Sequence, residues 1–144
     1  MSALSKRLAL REEMQHEENV RLNRSHTLLL KRAPEAWERF KTAFHTECDE
    51  INSDVNLVRV RCDEPNSHTL NILRERRYVP ATIAQSFEFD AAVPCISWRN
   101  LRNPKKPVSV IEMIPDGAQV IFVLDGKSVI LPEFVANCLE SVCE

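Results

Sequence analysis

Residues 108–126 read VSVIEMIPDGAQVIFVLDG. Two apolar runs, Val108 to Ile114 and Ala118 to Leu124, flank the dipeptide Asp116-Gly117, and Asp125-Gly126 follows. Val120, Phe122 and Leu124 recur at every second position, the period of a strand with one face turned to a core. Asp-Gly between such runs is the strongest short hairpin signal, because type I′ turns need positive φ at both central residues. The chain has only two glycines, and both stand in these dipeptides. The stretch therefore predicts an antiparallel pair, with the second Asp-Gly turning the chain out of its last strand.

Working upstream, the same period of two predicts four earlier strands. Val55, Leu57, Val58 and Val60 open the first, and His68 to Arg74 forms the second, with Leu70 and Ile72 on one face. Residues 79–89 form a long third strand with Val79, Ala81, Ile83, Phe87 and Phe89 on one side and Thr82, Ser86 and Glu88 on the other. Val93 to Arg99 forms the fourth and carries Trp98. Consecutive strands with short turns imply an antiparallel meander.

Before residue 52 the period is helical. Trp37, Phe40, Phe44, Cys48 and Ile51 recur every three or four positions, an apolar stripe large enough to organise a core. Pro34 is expected to begin this helix, which runs to about Asn52, because proline is tolerated in a first turn. Residues 2–32 predict a separate helix with a weak stripe of Leu4, Leu8, Leu10 and Met14, and with Leu28 to Leu30 docking on the body. Pro132 to Val142 predicts a final helix whose apolar face is Phe134, Val135, Cys138, Leu139 and Val142. The expected fold is α+β: N-terminal helices and a C-terminal helix packed on an antiparallel β-meander of about five or six strands. The chain divides into an exposed N-terminal helical extension, residues 1–32, and one globular domain, residues 33–144.

The chain has 144 residues and a net charge of -2, which sets up no overall field to draw nucleic acid or a membrane surface. Charge is uneven along it: residues 53–107 hold nine Lys/Arg against six Asp/Glu, and residues 108–144 hold one against six. Such a polar molecule can dock a partner electrostatically. Five cysteines, an odd number with no C-x-x-C spacing, and a charged N-terminus without an apolar signal region point to free thiols in the cytoplasm. No apolar run is long enough to span a bilayer.

Candidate chemistry is sparse. His45, Cys48, Cys62 and His68 are the residue types of a zinc site, but Cys48 lies on the core stripe. Cys95, followed by Arg99 and Arg102, is the best placed thiol for a reactive thiolate. The acidic pairs Asp49/Glu50, Asp63/Glu64 and Glu88/Asp90 sit on turns or wet faces. Glycine-rich phosphate loops and hydrolase motifs are absent. These readings give a non-enzymatic protein without a cofactor or metal. Basic loops are the most distinctive polar feature: Arg74, Arg76, Arg77 and Tyr78 between strands two and three, and Arg99, Arg102, Lys105 and Lys106 after strand four. With neighbouring strands they fall at one end of the sheet, where Tyr78 and Trp98 offer stacking surfaces beside cations, as single-strand binders do.

The sequence thus predicts a cytoplasmic interaction or regulatory module that meets a protein partner, or a second copy of itself, through the first helix. The alternatives are nucleic-acid binding through the basic loops and a small-ligand pocket between sheet and second helix, lined by Trp37, Phe40 and Phe44.

Overall fold

The computed structural model describes residues 2–54 and 58–144. The element order is α1 (Ala3–Asp54), β1 (Val58–Asn66), β2 (Thr69–Arg76), β3 (Val79–Asp90), β4 (Cys95–Asn100), β5 (Ser109–Asp116), β6 (Gln119–Leu124), β7 (Lys127–Ser128) and α2 (Leu131–Cys143). The seven strands lie in sequence order in one antiparallel sheet. The α+β meander is as expected, with one strand more. Val55 and Leu57, expected to open the first strand, lie outside the described residues.

Two helices predicted on either side of Pro34 are one helix of 52 residues, about 78 Å long at 1.5 Å per residue. Proline inside a helix removes a backbone hydrogen bond and crowds the preceding turn, at about 3 kcal/mol. What holds the helix together there is tertiary packing. Ala33, Ala36 and Trp37 flank the exposed proline and are all buried. From Ala33 onward α1 lies against β1, β5 and β6, and α2 packs beside it. Before Ala33 the helix is almost wholly exposed, with Leu29 its last contact to the core.

The core is aromatic. The Phe40 ring centroid lies 5.1 Å from Phe44, 5.2 Å from Phe87, 5.6 Å from Phe122 and 6.0 Å from Phe134. Trp37 stacks on Phe89 at 5.6 Å and donates its indole N–H to the Ser67 carbonyl at 2.8 Å. The predicted stripe of α1 and the predicted face of α2 both meet here, the latter through Val135, Cys138, Leu139 and Val142.

The third strand departs from its predicted alternation. Phe87 and Phe89 point inward, but Ile83 and Val79 are 43% and 53% exposed. The β2–β3 register explains this: Ile72 pairs with Gln85 and Leu73 with Ile83, so Ala84 is an extra residue. Such a bulge reverses the facing of the residue next beyond it, Ile83, while a second register shift, between Arg74 and Arg76, intervenes before Val79. Ala84 and Gln85 both turn inward. Gln85 then donates to the Cys138 carbonyl of α2 at 3.3 Å and accepts from the Trp98 indole at 3.2 Å.

The turns also differ in detail. Asp116 pairs with Gln119, so the β5–β6 loop is Gly117-Ala118, with positive φ at Gly117 alone, as in a type II′ turn. Asp125-Gly126 has positive φ at both residues, the type I′ pattern, and opens into β7 instead of leaving the sheet. At the β1 edge, the Asn52 side-chain amide donates to the Val60 carbonyl at 2.7 Å and accepts from the Val60 N–H at 3.0 Å.

Because α1 pays for Pro34 with packing, Pro34→Ala should stabilise the protein. The expected gain is about 2 kcal/mol, the interior-proline cost less the entropy the proline removes from the unfolded chain. Denaturant titration should show a higher midpoint at unchanged slope.

Candidate functional site

In a meander, alternate turns share an end. The β2–β3 turn and the loop joining β4 to β5 therefore lie at the same end of the sheet, and the C-terminus of α2 arrives there too. Its last carbonyls have no partner within the helix. Arg102 donates to the Ser141 carbonyl at 2.7 Å, to Val142 at 3.2 Å and to Glu144 at 3.3 Å. Arg74 donates to the Glu144 carbonyl at 2.9 Å. Burial, with the charges of Arg76 and Arg102 nearby, holds Arg74 below its ordinary arginine value. Two residues of the expected basic surface are thus occupied in capping a helix, where a cation also meets the negative end of the dipole.

The other members divide. Trp98 is half-buried, stacked on Phe87 at 6.0 Å and edge-on to Phe134 at 5.1 Å, so it belongs to the core and offers no free stacking face. Lys106 lies 5.6 Å over its ring. Arg99 and Lys105 are exposed. Arg76, Arg77 and Tyr78 stay open to solvent, joined by Arg59 from β1, which sequence reasoning missed because the residues lie on different strands. Together with Glu75, Val79 and Pro80 they line a surface hollow of ≈ 700 Å³. Tyr78 is 90% exposed, has φ of 67°, and carries Arg77 at 5.1 Å over its ring. A bulky residue in that backbone region is strained by about 1–2 kcal/mol.

Of the zinc-type residues, His45, Cys48 and Cys62 are otherwise engaged. The Cys48 and Cys62 sulfurs lie 3.2 Å apart in the wall between α1 and β1, and the His45 ring bonds Glu64 at 2.8 Å. Among the described residues no three His, Cys, Asp or Glu side chains are grouped to hold a metal ion. The Cys62 thiol is pushed up by its hydrogen bond to Cys48 and by burial, and burial pushes Cys138 up to about 12. Cys95 does not meet the electropositive surroundings expected of it. Burial raises its thiol, and Asp90 and Glu112 raise it further. That is the reverse of what a reactive thiolate needs. Asp90 serves a turn, accepting from the Ala92 and Val93 N–H groups at 2.9 and 3.2 Å.

A polar cluster not foreseen lies on α1. Lys41 is 6% exposed; its Nζ reaches Glu64 at 2.7 Å and Glu38 at 3.0 Å and lies 5.5 Å over the Trp37 ring. Burial alone would lower the Lys41 value, but the hydrogen bonds to Glu64 and Glu38 outweigh it and raise it. A lysine held protonated is a structural cation and no nucleophile. Its hydrogen bond depresses the Glu64 carboxyl against opposing burial, and His45 adds to the effect. Trp37, Phe40 and Phe44, considered as a ligand pocket, fill the space between sheet and helix with their own rings.

No protein-family model matches the chain, and no curated protein or solved structure is significantly similar to it. Among the described residues no helix is long and apolar enough to cross a membrane.

Two outcomes follow. Glu64→Gln should cost about 1–2 kcal/mol at neutral pH, since Lys41 loses a charged partner while remaining buried. Because the Glu64 carboxyl is depressed in the folded state, its contribution is present above the ordinary carboxylate range and fades as pH falls through the lower folded value. Denaturation curves of the two proteins should therefore converge in acid. Arg102→Ala should lower stability by about 1–2 kcal/mol through loss of the α2 cap, read as a lower thermal midpoint.

Proposed function

We propose that this chain is a non-enzymatic protein-interaction module whose contact element is the projecting N-terminal half of α1. One observation carries the reading. Leu4, Leu10 and Met14 are 64%, 57% and 62% exposed on a helical segment that makes no core contact before Leu29. Most helical stability in proteins comes from packing of an apolar face. This segment has apolar side chains and nothing of its own body to set them on. Cytoplasmic residence fits the free thiols.

A second reading rests on the β2–β3 tip. Arg59, Arg76, Arg77 and the exposed Tyr78 present three cations and an aromatic ring around one hollow, a combination suited to a nucleic-acid backbone and base. Arg74 and Arg102 no longer contribute, which shrinks the basic surface.

A photo-crosslinking residue at position 10 separates the two readings. In cells producing the protein, it should give a discrete protein adduct, whereas the same residue at Asp116, on an exposed turn, should not. Absence of any adduct from position 10, together with salt-sensitive binding of a short oligonucleotide lost on Arg76→Ala and Arg77→Ala, would transfer the function to the tip.

A further inference from the structure

Three contacts tie the second half of α1 to β1 at regular intervals. The His45 ring bonds the Glu64 carboxylate at 2.8 Å, the Cys48 sulfur lies 3.2 Å from the Cys62 sulfur, and the Asn52 carboxamide makes its two bonds to the Val60 backbone. On the helix these residues are spaced by three and four, and on the strand by two. Each step covers about 4.5 or 6 Å along α1 and about 6.6 Å along β1, so the rungs stay nearly level as the two elements run antiparallel. The middle rung is a thiol pair held in place from both sides. Cys48 is 3% exposed and Cys62 is half-buried, so one sulfur is sealed in the core and the other can be reached from solvent.

Two thiols this close are poised to be joined. A disulfide needs sulfurs about 2.05 Å apart, which here is an approach of about 1.2 Å. The cysteines are 14 residues apart in sequence, so the crosslink closes a short loop. Closing such a loop removes freedom from the unfolded chain and so favours the folded one. We propose that Cys48 and Cys62 form a reversible redox pair, which hydrogen peroxide closes to an intramolecular disulfide that locks α1 onto β1. The pair acts independently of the surface that meets a partner.

Peroxide is the oxidant that suits the site. It is small and uncharged, whereas Asp49 and Glu64 place carboxylates near Cys62 and disfavour an anionic disulfide such as oxidised glutathione. Cys62, the accessible sulfur, attacks one peroxide oxygen as the thiolate. The O–O bond breaks, a sulfenic acid forms on Cys62, and the departing hydroxide takes up the Cys62 proton as water. Cys48 then attacks the Cys62 sulfur. The S–O bond breaks, the S–S bond forms, and the second hydroxide leaves with the Cys48 proton as water. The thiols lose two electrons and the peroxide gains them. The hydrogen bond to Cys48 and burial keep the Cys62 thiol protonated, so the first step is slow. The second is fast by comparison, because its two sulfurs are already in contact.

Thiol counting on the purified full chain tests the pair. The chain is reduced with dithiothreitol, freed of it, and exposed to hydrogen peroxide under native conditions. After unfolding in a maleimide reagent, two of the five cysteines should escape labelling. Peptide mapping should place the link between Cys48 and Cys62, and dithiothreitol should return both thiols. The oxidised chain should melt about 5–10 °C higher than the reduced one, the shift that closing a loop of this length gives a domain of this size. Cys62→Ala should show neither the link nor the rise, and its own melting before oxidation reports whether it folds. The unsubstituted chain decides by itself. Five labelled cysteines after peroxide, a link that includes Cys95, Cys138 or Cys143, a link between two chains, thiols that dithiothreitol fails to return, or an oxidised chain that melts no higher each overturns the pair. A rise that survives Cys62→Ala overturns it as well.

Discussion

Everything in this molecule is referred to the contact of Phe40 with the rings around it. Phe44 belongs to the same helix, Phe87 and Phe122 come from separate strands, and Phe134 comes from α2. Each aromatic pair adds about 0.5–1.5 kcal/mol beyond the area it buries. The cluster ties three parts of the chain that the meander alone would leave apart. It anchors the second half of α1 firmly enough for the helix to run through a proline, and so it sets the direction in which the first half leaves the body. The polar contacts arrange themselves at its margins. Trp37 reaches Ser67 at one end of the sheet, while Lys41 and Glu64 close its flank beside β1.

Much of this architecture is legible in the residues. The stripe from Trp37 to Ile51, the alternation of Val120, Phe122 and Leu124, and the apolar face of the last helix all record burial directly, because periodicity is burial projected onto sequence. The misreadings occur where a tertiary force overrides a local rule. Pro34 obeys local chemistry as a helix start, yet Ala33, Ala36 and Trp37 are buried on either side of it and carry the helix across. Ala84 is invisible as a bulge, since Ile83 and Phe87 keep the same parity on paper. Only the β2 register shows that a residue has been inserted between them. Asp116-Gly117 is a turn signal whose central pair is displaced by one, which changes its type and leaves the hairpin intact.

Candidate surfaces were less legible, for a different reason. Arg74 and Arg102 look like free cations in a basic loop, but their partners lie 70 and 39 residues away at the end of α2. Nothing local announces such a partnership. The same holds for Lys41, which sits among ordinary helix residues and finds Glu64 only when β1 is laid alongside. Arg59 enters the tip of the β2–β3 hairpin by pairing across strands. A charged residue's role is settled by what comes near it in space, whereas an apolar residue's is mostly settled by its spacing.

The small bond pair between Asn52 and Val60 has a consequence out of proportion to its size. Those two backbone groups are where an outer strand from another molecule would begin to zip onto β1, and the carboxamide already sits there as a mimic of one peptide unit. At the opposite border, β7 is only two residues long and gives a newcomer little to template on. A sheet terminated in these ways is poorly disposed to grow sideways into fibrils.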